Sequence, residues 1–417
     1  MNPPKPNARF RLRGVSDSNG ASARLVREGS RLLAVAFLAL GQLSESIHAG
    51  EPFVPLTDDT ILIRLPRDLR SNLAPGAPAV VGSEVETSEQ AVRKLLAQAR
   101  HDGDPGPLRR ALRRLESASD SESRPSEKLL LRAQVRQALH DFTGALADLE
   151  AVLQRDPNHP GAWLSKASIH QVRGEFAEAR RACLHLARCG DGFVATVAAA
   201  SLTGVTTLGD GATKRLAETL GSPAHAGIPA ELRAWGWTAL AELEAMNGHP
   251  VKAEAAFREA IRLEPSHPYP ALGLADLLLA AGRPSEVLVS LKTSPALNAR
   301  IRVAEALRQT APDGPETVRI LRELDETFAL AQLRGEDLHR REHARFLLRL
   351  RHQPAEALAL ALDNWKVQKE PADLQLLLEA AAAARNGTVR DAALAWASTN
   401  MPALLQNPTA LRLARNP

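Results

Sequence analysis

His339 and His343 stand four residues apart with Glu342 between them. On a helix that spacing puts both imidazoles on one face, where they could share a metal ion. No third ligand follows at metal spacing, so they are read as surface histidines of an Arg-rich helix. Asp58 and Asp59 could hold a cation, but paired acids before an apolar run are commonly a helix's first turn. Gly103-Asp104-Pro105-Gly106 lacks the Lys of a phosphate loop and reads as a turn between helices. Gly-x-Ser-x-Gly and His-Glu-x-x-His are both missing. No catalytic residue, cofactor or metal is therefore expected. An enzymatic or ligand site is left only the divergent region 296–405, with His339 or His343 as its mark.

Cys183 and Cys189 are the only cysteines, six residues apart. Within one helix they would point to different faces, too far apart to bridge. A disulfide requires the helix to end near Ala187, which Gly190 permits; two separate thiols are the favoured alternative.

The elements that must position these residues are helices. Apolar residues make up 44% of the 417, largely Ala and Leu, while aromatics are 4% with a single Tyr. Ala and Leu favour helix and little else, and alternating Val/Ile/Thr runs are almost absent. The net charge of +4 is small, with acids and bases interleaved as on solvated helix faces. The densest basic cluster, Arg109, Arg110, Arg113 and Arg114, is the wet side of a helix whose apolar side carries Leu108, Leu112 and Leu115. Without a basic stripe and stacking aromatics, nucleic acid is not an expected partner.

Near the start, Arg24, Arg27 and Arg31 precede the apolar run Leu32–Leu40, and Ile47-His48-Ala49 follows. A basic start, a short apolar core and a small residue before the cut form a secretory signal. Cleavage is expected after Ala49, giving a periplasmic or secreted protein. The run falls short of the ~20 residues of a membrane span, so membrane attachment is expected only if the signal stays uncleaved.

Two segments further along repeat each other. Trp163, Ala167, Gly174 and Ala179 recur as Trp237, Ala241, Gly248 and Ala253, at identical offsets. Asp156-Pro157-Asn158-His159-Pro160 recurs as Glu264-Pro265-Ser266-His267-Pro268. Small residues let two helices of a hairpin approach, Gly forms the tight turn between them, and Pro ends one repeat and starts the next. This pattern resembles the tetratricopeptide family, whose repeat is about 34 residues long. The resemblance is strict over 126–193 and 234–290 and looser over 89–405. It implies an all-α fold, an α-solenoid of antiparallel helix hairpins wound as a right-handed superhelix.

The chain divides accordingly: an extension and signal at 1–49, a leader at 50–70, and a Pro/Gly-rich linker at 71–88. A solenoid follows at 89–295, its pattern decaying into a degenerate pair at 194–230. Divergent helical repeats occupy 296–405, with Asp391 expected to cap a short final helix, and a tail spans 406–417. The leader is expected to dock on the solenoid.

The resemblance further implies a non-catalytic scaffold that binds a protein segment on the concave face lined by the first helix of each pair. Inward positions there include Leu130 and Gln134, Leu164 and Gln171, Trp235 and Glu242, and Tyr269, Leu272 and Asp276. Trp235 and Tyr269 are the candidate anchors, because amphipathic aromatics often dominate binding. Family members that grip a C-terminal carboxylate place Lys where this chain has Leu130, Leu164, Thr238 and Leu272, so that mode is not expected. An accessory role in an envelope export or assembly machine is the alternative.

Overall fold

The computed structural model describes residues 88–117, 125–334 and 339–406. The signal segment, the leader with Asp58 and Asp59, the linker and the tail beyond Gln406 lie outside the described residues. Eighteen α-helices run in order among the described residues. They are α1 (Ser88–Asp102), α2 (Gly106–Ser117), α3 (Pro125–Ala138), α4 (Phe142–Arg155), α5 (Pro160–Val172) and α6 (Phe176–Cys189). Next come α7 (Gly192–Thr206), α8 (Gly211–Gly221), α9 (Ala230–Met246), α10 (Pro250–Leu263), α11 (Pro268–Ala280) and α12 (Pro284–Leu291). The last six are α13 (Leu297–Thr310), α14 (Pro315–Leu333), α15 (Arg340–Arg349), α16 (Pro354–Val367), α17 (Pro371–Ala383) and α18 (Gly387–Asn400). The fold is all-α, an α-solenoid of hairpins: each odd-numbered helix also touches the next odd-numbered one, so the odd helices form the inner layer.

Local chemistry sets the helix ends. Proline opens α5, α10, α11, α12, α14, α16 and α17, where its missing N–H costs nothing. His159 and His267, the repeated residues ahead of two of these prolines, accept from Ala162 N and Tyr269 N as N-caps. Asp191 caps α7, and Asn386 accepts from Val389 N at the start of α18. Asn386, not Asp391, is thus the cap of the last helix; the helix begins four residues before Asp391, at Gly387. Helix α6 continues through Cys189, and both cysteines are free.

Seven hairpins among the described residues turn on a positive-φ residue two places before the outer helix. In four it is Gly174, Gly209, Gly248 or Gly282, with φ of 72°, 94°, 78° and 69°. In the others it is His140, His352 or Arg385, with φ between 54° and 61°, each paying a steric cost of about 1–2 kcal/mol. A Cβ on Gly282 meets nothing within 4 Å, whereas one on Gly174 would lie 2.9 Å from Lys369 Cδ and 3.1 Å from Trp396 Cζ2. Gly282→Ala is therefore expected to cost about 1–2 kcal/mol from backbone strain alone. Gly174→Ala should cost more, because the strain and the collision add; urea midpoints of the two variants check the order.

Gly174 meets Lys369 because the array coils round until its late hairpins pack on its early ones. Lys369 N donates to Val172 O at 2.7 Å. Phe176 packs against Trp396, which meets Trp365 edge-on at 4.9 Å between centroids. One ring of contact further along, His339 Nε2 lies 3.2 Å from the Gly103 carbonyl oxygen. A single buried core extends from Leu164 to Leu404, with smaller clusters under α1–α3 and α3–α5.

Candidate interaction surface

The inner face of α3 to α11 carries the residues picked out as binding candidates, and α15, α17 and the stretch joining α16 to α17 lie against part of it. Leu130, Gln134, Leu164, Trp235 and Leu272 are each no more than 5% exposed. Gln171 is half-buried and lines a small cavity with Ala167, Ser168, Trp235 and Glu370. Glu242 and Tyr269, on neighbouring inner helices, share a hydrogen bond donated by the phenol.

Charge concentrates where the two halves meet. Arg341, opening α15, reaches Glu370 Oε2 at 3.1 Å and Asp373 Oδ1 at 3.2 Å. Asp373 also accepts from Asn364 Nδ2 at 2.7 Å and from the Glu370 N–H at 2.9 Å. Burial pushes both carboxyls up, partly offset by the guanidinium. Burial likewise pushes Glu242 up to about 7, against the opposing pull of the Tyr269 hydroxyl. His140, buried and facing the positive field of Arg341, His339 and Arg340, is held well below the ordinary imidazole value and stays neutral. Glu342 joins the same cluster, 3.9 Å from Arg341.

One turn further along α15, Arg345 bridges Asp276 and Glu305, each at 2.6 Å, while Arg302 holds Asp276 from the other side at 2.5 Å. Burial by itself would raise Asp276; the two guanidinium groups outweigh it and hold the carboxyl below its usual range. Arg349 continues the row to Glu379 at 2.7 Å. Asp276, foreseen as a groove residue, is thus neutralised within the chain.

A carboxyl raised in the folded state binds its proton more tightly folded than unfolded. Its contribution is fully present below the unfolded value and is lost as pH rises through the folded one. For Glu242 that window runs from about 4.5 to about 7. Stability is expected to fall across it, by at most about 3.5 kcal/mol at ~1.4 kcal/mol per pH unit. Glu242→Gln should flatten that part of the profile; urea midpoints at pH 5, 6, 7 and 8 for both proteins read it.

The histidine pair does not form a metal face. His339 has φ of 61° and precedes α15, so only His343 sits within the helix. His343 stacks on Phe328 at 4.1 Å, and neither ring is a surface histidine: His339 is 18% exposed and His343 half-buried. Among the described residues no group of His, Cys, Asp and Glu could hold a metal ion. No described helix is long and apolar enough to cross a membrane.

Sequence reasoning did not single out Arg341, Arg345, Gln368, Glu370 or Asp373. A signal existed for the first two: Arg341, Arg345 and Arg349 recur every four residues, a basic row along one helical face. Gln368-Lys369-Glu370-Pro371 carries no such signal, since Pro and polar residues between two helices read as a connection.

A family model, the tetratricopeptide repeat, matches residues 137–199 and 245–310. Among solved structures, the TPR domain of P58(IPK) is similar at 18% identity over 77% of this chain and 98% of that one, with a TM-score of 0.23. No curated protein matches. Repeats of this family generally bind protein partners and are typically non-catalytic. The tetratricopeptide repeat thus occurs in two places within an array of helix hairpins.

Proposed function

We propose that the protein is a non-catalytic interaction scaffold of the cell envelope, exported by the signal ending at Ala49, that binds a partner segment on the inner face of α3 to α11. One observation carries the choice of face. An extended stretch of polypeptide, the α16–α17 connection, already lies against it, with a main-chain hydrogen bond to Val172 O at the end of α5 and Glu370 in a cavity shared with Ala167, Gln171 and Trp235. The export signal supports the compartment.

The test is capture of the tagged chain's partners from a native envelope fraction, followed by hydrogen exchange on the purified complex. The reading expects partner-dependent protection at α5, α9 and α11. Protection confined to the even-numbered outer helices would overturn the choice of face. Recovery of the protein only from the cytoplasmic fraction would overturn the compartment.

A further inference from the structure

The contact between Gln368–Pro371 and the groove has the form of a ligand in its site. Gln368 and Glu370 have extended backbones, with φ, ψ of −129°, 138° and −84°, 162°. Between them the Lys369 N–H meets the Val172 carbonyl, one of the acceptors that the end of α5 leaves unpaired within the helix. The Gln368 side chain, 0% exposed, sets its amide against the His140 ring. Lys369 lies over Gly174, where no Cβ would fit, and its ammonium is 5.8 Å from the centroid of Trp365. Glu370 lines a cavity together with Ala167, Ser168, Gln171 and Trp235.

The fit is incomplete. Trp235 and Glu370 line the same cavity, yet Trp235 Nε1 and Glu370 Oε1 each lack a hydrogen-bond partner among the described residues, as does Gln368 Oε1. Buried polar atoms left unpaired weaken a contact. A segment that set its carboxylate against the Trp235 indole would make a bond this one does not.

From these observations we infer that Gln368–Pro371 is a resident ligand of the groove, which a partner displaces by exchange. The partner's segment is extended, with an amide donor two residues before a carboxylate that precedes proline. This deepens the scaffold reading and rests on it. A tethered segment faces its site at an effective concentration on the order of millimolar, so a free peptide of equal fit cannot compete at micromolar concentration. Displacement needs either the better fit or a loosened resident.

Cys183 lines the same cavity and is buried, so its labelling by a small thiol reagent reports opening once Cys189 is replaced by Ser. Burial pushes its thiol up to about 11, which keeps the closed form slow to react. In that background Lys369→Pro removes the donor to Val172, and Gln368→Ala removes the amide while leaving the backbone intact. Both are expected to speed Cys183 labelling at least fivefold with helix content unchanged. A fluorescent peptide with the sequence Val367–Ala372 should then bind the variants at least tenfold more tightly than the parent chain. Unchanged labelling in both variants would overturn the inference, since the segment would then be core and not ligand. So would peptide binding that is absent from opened variants, or equal in all three proteins. None of these readouts uses a captured partner, so failure to find one leaves this test standing and counts against the scaffold reading alone.

Discussion

Arg341→Ala is expected to destabilise the protein by about 3–5 kcal/mol, the range for removing one member of a buried ion pair. The residue faces Glu370 and Asp373 directly, lies close to Glu342, and its field reaches Glu242. Removing it leaves buried carboxylates with nothing to balance them, and the loss is the cost of those stranded charges more than the worth of the bridges. Two consequences follow that a simple packing defect would not show. The penalty should shrink between pH 8 and pH 5, because protonation neutralises the stranded groups. Adding Glu370→Gln and Asp373→Asn to the Arg341→Ala chain should recover part of the loss, a coupling that a mutant cycle in urea reads directly. A penalty independent of pH would mean that Arg341 acts through its carbon chain and not its charge. Long repeat arrays need not unfold in one step, so the comparison rests on the transition reported by a probe on α15–α18.

Trp235→Ala is the second large effect, at about 3–5 kcal/mol, the usual cost of truncating a buried aromatic. Trp235 is 5% exposed and belongs to the same core as Leu164, Phe176 and Leu240. An anchor waiting for a partner would lose affinity and little stability on truncation. This side chain should lose stability with no partner present, because the chain's own helices already cover it. Thermal unfolding of the isolated variant decides the point: an unchanged transition would show that Trp235 is exposed in solution and the inner face open. Tyr269→Phe is gentler. It removes one donor from a buried carboxyl, worth about 1–3 kcal/mol when the acceptor is stranded.

The fold was legible because its cause is local and repeated. Trp163, Ala167, Gly174 and Ala179 reproduce the offsets of Trp237, Ala241, Gly248 and Ala253, and Gln134, Trp235 and Asp276 lie on α3, α9 and α11. Three turns hid from the same reasoning. His140, His352 and Arg385 adopt the left-handed conformation that Gly takes elsewhere, so no glycine marked those hairpins. His339 was misplaced for a related reason: its spacing to His343 is helical, but its backbone leaves the helix one residue before Arg340.

What covers the inner face was not legible at all. Val172 and Lys369 are joined by a hydrogen bond, yet they are far apart in sequence and neither residue type announces the other. The acids at Asp276, Glu305 and Glu379 and the bases at Arg341, Arg345 and Arg349 each look like solvated helix faces when read alone. They are one partly buried network only because superhelical coiling brings α15 against α11, α13 and α17. Coiling of that kind is the sum of many small rotations between neighbouring hairpins, and no single residue encodes it.

The central claim is that the early repeats are closed over by the chain's own α16–α17 connection, and the most direct measurement is hydrogen exchange at the Lys369 amide. Its N–H donates to Val172 O at 2.7 Å within a stretch that has no helix of its own. The closed array predicts that this amide exchanges as slowly as the interior amides of α5, and that Gln368→Ala speeds it. Exchange at the rate of an unstructured linker in the unaltered protein would contradict the closure and leave the inner groove open.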